Sequence, residues 1–419
     1  MEGIEVASSF SWLAYSEAER RRALDVVDAF KNRDTRDELG IGTVRDIFAN
    51  IFFPGTTTIQ TRARYFLFVP WTYLGLEQRA RRRAFESREQ LAKWARDDET
   101  LLIETLKASE DPSGTIGIEA GKNLKRLPSN IYWYGLGLWG IRPFQGSQEE
   151  YHRLLLRLGP PILRKREEEE NPNRVALNWH LGLPPRPEDF PDNVSFKLTH
   201  NESGYLKERI KARFPRCFLA FLVDQGSPWE SVPYAWLHPT VIDNQLPPEI
   251  SSPLFHARNF SELMHGAALL YNLMLARQYN QKFSCWEDKV DFYRKEVREW
   301  AGRVAARRRI YASWDMAQFW RTVRSEGGGI PHPTENFINT WLNIVFAKGD
   351  LAAISGDPTV QSLIRDRERY LKKGLARLSN ENALRQWSGA AGASQLDFRW
   401  GVTQRILTDI LTVQEDSRA

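Results

Sequence analysis

Cysteine is nearly missing from this chain: Cys217 and Cys285 are the only two in 419 residues. They lie 68 positions apart, so they offer neither a disulfide framework nor a Cys-x-x-Cys pair for zinc or redox work. A reducing cytoplasm is the expected setting. No run approaches the ~18 consecutive apolar residues of a membrane-spanning helix. The N-terminus carries its arginines after its apolar stretch, which is not the order of a secretory signal. Catalytic signatures are missing too. The seven histidines, at 152, 180, 200, 238, 256, 265 and 332, show no His-x-x-x-His or His-Glu-x-x-His spacing. The glycines at 327–329 are not followed by Gly-Lys-Ser/Thr, so there is no phosphate-cradling Walker loop. Neither a Gly-x-Ser-x-Gly elbow nor a kinase signature occurs, and there is no internal repeat or low-complexity tract. No cofactor is expected.

What is present is ordinary in bulk and unusual in two respects. Hydrophobic residues are 42% and charged residues 26%, the balance of a globular chain long enough for two or three domains. Tryptophan is abundant at 15 residues, and 43 of the 58 basic residues are arginine. Arginine grips phosphate and carboxylate with a planar fork and stacks on aromatics. The net charge is only +5, so this composition permits nucleic-acid binding without requiring it.

Helical periodicity dominates. Ser16 and Glu19 have capping-box spacing, with Ala23, Val27 and Phe30 on one face behind them. Val44, Ile47, Phe48, Ile51 and Phe52 predict a second helix, stopped by Pro54 and Gly55. Thr56, Thr57 and Thr58 then offer caps for a third helix beginning near Ile59. Further helices are predicted through residue 107, from a capping box at Ser147 and Glu150, and after Thr199 and Glu202. A dense charge run at 164–170 and frequent prolines suggest a linker or surface excursion at 160–195. Residues 261–279 read as a buried helix. Trp286, Val290, Tyr293, Val297, Trp300 and Val304 form a heptad-like stripe suited to a bundle or to a partner helix. The expected fold is mainly α: an N-terminal helical domain, 1–159, with a helix-turn-helix-like segment, and a C-terminal helical domain, 196–419.

The strongest local candidate for function is 43–71. A helix, a tight turn and a second helix headed by Thr57, Thr58, Gln60, Arg62 and Arg64 have the outline of a DNA reader. Hydroxyls and free N–H groups suit phosphate, while Gln and Arg reach base edges. The competing reading is a plain helical hairpin, since Phe66, Leu67 and Val69 give the second helix an apolar body. Arginine patches at 20–22, at Arg79 with Arg81, Arg82 and Arg83, and at 307–309 would each neutralise several phosphates, or else line a solvated, ion-paired helix face. Lys122, Lys125 and Arg126 precede Tyr132, Trp133, Tyr134 and Trp139, a spacing that would let bases stack on the rings; a core role for the rings is the stronger expectation. Asp224, Glu230 and His238 form a weak candidate for a metal-dependent hydrolase. Asp397, Arg399, Arg405 and Asp409 suggest an ion-pair cluster tying down the last helix.

Several segments together carry a family resemblance: SWL at 11–13, YSEAER at 15–20, RDTRDELGIG at 33–42, FPGTTTIQTRARYFLFVPW at 53–71, IYW at 131–133 and WGI at 139–141. The chain resembles, over nearly its full length, the uncharacterised bacterial family known as domain of unknown function 6361. That resemblance implies a place in antiviral defence islands beside helicases and phospholipase-D-like nucleases. The function expected is a non-catalytic DNA-binding or adaptor subunit. DNA would meet the 57–64 region, and a helicase or nuclease partner would meet a surface including Trp286, Tyr293 and Trp300. The alternatives are a metal-dependent nuclease with a scattered site, and a purely protein-binding scaffold or sensor.

Overall fold

A computed structural model describes residues 37–82, 87–157, 178–226, 229–243, 245–325 and 329–413. The capping box at Ser16, the arginines at 20–22, Arg83 and the charge run at 164–170 lie outside them. Among the described residues sixteen α-helices run α1 (Gly42–Phe52), α2 (Tyr65–Arg82), α3 (Arg88–Lys107), α4 (Pro128–Leu138), α5 (Gln148–Arg157), α6 (His200–Arg213), α7 (Phe218–Asp224), α8 (Pro239–Ile242), α9 (Pro248–Phe283), α10 (Glu287–Ala306), α11 (Arg308–Ala312), α12 (Met316–Ser325), α13 (His332–Ala347), α14 (Pro358–Lys372), α15 (Glu381–Arg385) and α16 (Trp400–Leu411). Among the described residues the only β pairing is a single bridge between Leu198 and Val413. The fold is mainly α, as the periodicity predicts.

Helix α9 is the axis of the C-terminal part. From Leu263 to Ala276 nearly every side chain is buried, so this helix is covered on all sides rather than on one stripe. Its closest neighbour is α10, and Gly266 sets their spacing. A Cβ on Gly266 would sit 2.2 Å from the Trp300 ring. The indole N–H of Trp300 donates to the Glu262 carbonyl at 2.8 Å, and that of Trp341 to the Leu263 carbonyl at 3.0 Å. Large indoles with one polar handle thus fill the seam and still satisfy their N–H.

The predicted caps at Thr199 and Glu202, and at Ser147 and Glu150, form as reciprocal pairs. The second half of the proline-rich excursion packs on α2. Trp179, Phe190 and Val194 are buried, and the Trp71 indole donates to the Pro184 carbonyl at 2.8 Å. The apolar interior is continuous from Leu39 to Ile410, because α1 packs on α9 and α16 on α7.

Candidate nucleic-acid interface

The segment with the outline of a DNA reader folds differently from expectation. The second helix starts at Tyr65, not near Ile59, and residues 56–64 form a turn. The reason is that the backbone donors needed for another helical turn are already taken. The Gln60 side chain accepts from Thr57 N–H at 3.0 Å and donates to the Gly55 carbonyl at 3.2 Å. The Tyr132 hydroxyl accepts from the N–H groups of Thr61 and Arg62, and Asp409 accepts from that of Ala63 at 2.8 Å. Gly55, at φ +85°, lets the turn pass under Trp139, whose indole donates to the Pro54 carbonyl. The helix start that would receive a phosphate therefore holds the Asp409 carboxylate instead.

The side chains singled out there are spent on the fold. Gln60 is 1% exposed and Thr57 6%, while Thr58 is exposed. Arg62 pairs with Asp409 at 3.0 Å and Asp111 at 2.6 Å, and that arginine holds the Asp111 carboxyl below its usual range. Arg64 pairs with buried Glu202 at 2.8 Å and donates to the Ser195 carbonyl. A base-reading residue must face solvent, and of these five only Thr58 does so fully. Helix α2 is buried almost throughout its first half and has no free face to lay in a groove.

The remaining cations divide. Arg79 pairs with Asp98 at 2.9 Å, and Arg81 and Arg82 close α2. Arg307 pairs with Glu262, Arg308 donates to the Phe346 carbonyl at 3.2 Å, and Arg309 is exposed. Lys122 and Lys125 are exposed on a loop held to α3 by Arg96, which donates to the Leu124 carbonyl; Arg126 is half-buried. Tyr132, Trp133 and Trp139 are core residues, as the stronger expectation had it.

The stripe on α10 faces inward. Tyr293 and Trp300 are buried, and Trp286 is half-buried, stacking on Tyr279 with ring centroids 4.4 Å apart. This surface is the α9–α10 seam, since apolar heptad positions pack equally well on a helix of the same chain. The hydrolase candidates are separately employed. Asp224 pairs with Lys211 at 2.5 Å, Glu230 is exposed, and His238 is buried with Nδ1 accepting from Thr240 N–H. Burial pulls the His238 imidazole down to about 4. Among the described residues no three His, Cys, Asp or Glu side chains are grouped to hold a metal ion. At the last helix, Asp409 ties to Arg62, Asp397 caps α16, and Arg399 donates to Asn50 and to the Thr56 carbonyl. The ion pairs run to Asp46 and Arg62 rather than among 397–409, and Arg405 makes no ion pair among the described residues.

One cationic surface matches no sequence motif. Lys207, Arg209, Lys211, Arg213 and Arg216 occur within ten residues against one acid, Glu208. Lys211, Arg213 and Arg216 are exposed at the end of α6. Lys211 and Arg216 edge a groove of about 320 Å³ shared with Phe221, Asp224 and Glu249. Arg213 donates through Nε to the Leu138 carbonyl and makes no ion pair among the described residues. The charge spacing is visible in the sequence. It attracts no notice there because basic residues in a last helical turn are also what the helix dipole favours.

The family model described as "Family of unknown function (DUF6361)" matches residues 7–413. The chain belongs to this family. No curated protein and no solved structure matches it. Within this DUF6361 chain the 53–71 block, the segment on which the resemblance rests most, is a structural knot joining α1, α4 and α16.

Proposed function

We propose that the chain is a non-catalytic DNA-binding or adaptor subunit whose phosphate contacts come from the end of α6 rather than from residues 57–64. The observation that carries this reading is the exposure of Lys211 and Arg213 in the last turn of α6 and of Arg216 just beyond it, with Lys211 and Arg216 edging a groove. Backbone neutralisation needs solvent-facing cations and no base-specific geometry. Lys211 would exchange its surface pair with Asp224 for phosphate at little cost, because such exposed pairs contribute about 0–1 kcal/mol. The antiviral-defence setting, with a helicase or phospholipase-D-like nuclease supplying the chemistry, follows from the family resemblance and is part of the same proposal.

The test is fluorescence anisotropy of the full chain on labelled duplex and single-stranded DNA across a salt series. Replacing Lys211, Arg213 and Arg216 with Ala should weaken binding and reduce the slope of log K against log salt by up to about 3. An unchanged slope removes this surface, and no binding by the parent chain at the lowest salt removes the DNA reading. Divalent-metal-dependent cleavage of the DNA would favour the nuclease alternative.

A further inference from the structure

Helix α7 carries two phenylalanines with different fates. Phe218 is fully buried and packs on the rings of Phe53 and Trp400. Phe221, nearly one turn further on, is half-buried and meets no other ring among the described residues. It lines the groove of about 320 Å³ at the end of α6. The same groove takes Lys211 from the last turn of α6, Pro215 and Arg216 from the turn that follows, Asp224 from the end of α7, and Pro247 and Glu249 from the start of α9. Each proline fixes its own φ, so two of the walls are set before anything binds.

Four charges stand on this groove, two of each sign, and only one pair of them is made. Lys211 and Asp224 lie 2.5 Å apart. Arg216 and Glu249 are exposed, and neither makes an ion pair or a side-chain hydrogen bond among the described residues, with the other or with any third group. One small volume therefore holds an unpaired guanidinium, an unpaired carboxylate and an unstacked ring. A ligand that uses all three carries an anionic group, a flat apolar body and N–H donors. A nucleotide with an exocyclic amino group has each of these. Its phosphate suits the planar fork of Arg216, its base stacks on Phe221, and its amino group donates to Glu249.

The groove is at the small end of the roughly 300–1,000 Å³ that ligand sites occupy, room for one base rather than for a duplex. A base inside a duplex is already stacked and paired, so only an unpaired one can turn its face to a protein ring. We infer that this groove takes an unpaired base of single-stranded DNA and prefers cytosine to thymine. Cytosine presents an N4 amino donor to the Glu249 carboxylate where thymine presents the O4 acceptor, which a carboxylate repels. Lys211, drawn to the neighbouring phosphate, leaves Asp224 as a second acceptor on the same groove. The inference rests on the DNA-binding reading above and adds to it the form of the DNA and the base.

The experiment is anisotropy of the full chain at low salt and mildly alkaline pH on labelled oligodeoxycytidylate and oligodeoxythymidylate of equal length, with a mixed-sequence duplex as reference. The parent chain should bind oligodeoxycytidylate about ten-fold more tightly than oligodeoxythymidylate. Phe221→Leu, which keeps an apolar side chain, should weaken single-strand binding about ten-fold and leave duplex binding unchanged. Glu249→Gln, at an exposed position, should bring the two single strands to within about two-fold of each other. Circular dichroism and melting temperature check that each variant is folded. Equal affinity of the parent for the two single strands overturns this site, as does unchanged single-strand binding by Phe221→Leu. Either result leaves the cationic surface standing when replacing Lys211, Arg213 and Arg216 still lowers the salt slope. No binding of any of these DNAs overturns the site and the DNA reading together.

Discussion

Arg62 and Asp409, 347 positions apart in the chain, meet side by side: Nε of Arg62 lies 3.0 Å from both carboxylate oxygens of Asp409. The same carboxylate accepts from the Ala63 N–H just ahead of α2. One acid from the last helix therefore fills the helix start and the cation that together looked like a phosphate site.

Both partners of this pair are close to buried, so removing either leaves an uncompensated charge. Arg62→Ala and Asp409→Ala should each cost about 3–5 kcal/mol in chemical denaturation. The double variant should cost less than the sum of the two. At a temperature where Arg62→Ala remains folded, its DNA salt slope should equal that of the parent. A reduced slope would return the 57–64 turn to the DNA interface.

Gly266 has no room for a side chain against Trp300. Gly266→Ala should lower stability by about 1–3 kcal/mol through overpacking, despite alanine's better helix propensity. A stabilised variant would mean that the α9–α10 seam can open without cost. Equilibrium denaturation with tryptophan fluorescence reads both stability and the Trp300 environment.

Glu99 is fully buried beneath the N-terminus of α4, accepting from the Ser129 hydroxyl at 2.7 Å and N–H at 2.8 Å. Burial raises its carboxyl to about 7, with the Ser129 bonds opposing the rise. The folded state thus holds a proton that the unfolded chain releases near its ordinary value of 4.5. The Glu99 contribution to stability is therefore most favourable below that value, falls as pH rises to about 7, and is lost above it. The span corresponds to about 3 kcal/mol. Glu99→Gln, which cannot ionise, should gain stability relative to the parent between pH 5 and pH 8. A difference that does not change with pH would mean that Glu99 titrates normally.

The two thiols should separate cleanly. Cys285 is exposed, whereas Cys217 is buried at the cap of α7 and its thiol is pushed up to about 11 by burial. Native protein should take up one equivalent of a maleimide at neutral pH, and denatured protein two. Mass spectrometry locating native label on Cys217 would contradict the packing around Phe218 and Leu219.

The legible parts of this molecule were those governed by local rules. The Thr199–Glu202 and Ser147–Glu150 caps are satisfied within a few residues of chain, so spacing alone announces them. The stripe from Val290 to Val304 shows that α10 has one apolar face. It does not show whether that face meets another chain or Gly266 on the neighbouring helix, because the same apolar surface leaves water in either case. Residues 59–64 resemble a helix start in sequence for a related reason. Their threonines and arginines are compatible with a capped helix start, and the groups that hold the turn, Tyr132 and Asp409, come from α4 and α16.

By itself the sequence determined the α class, several helix bodies, the caps at Ser147 and Thr199, the core rings near Trp133, and membership of a recognisable family. Those properties depend on periodicity, side-chain bulk and short-range hydrogen bonding, all of which are local. Tertiary structure decided which cations are available. Arg62 and Arg64 are held by largely buried carboxylates brought from positions 409 and 202, while Arg213 and Arg216 stay in solvent and Lys211 keeps only a surface pair with Asp224. Charge in a sequence is a count. Its availability depends on distance and burial, and only the folded chain sets those.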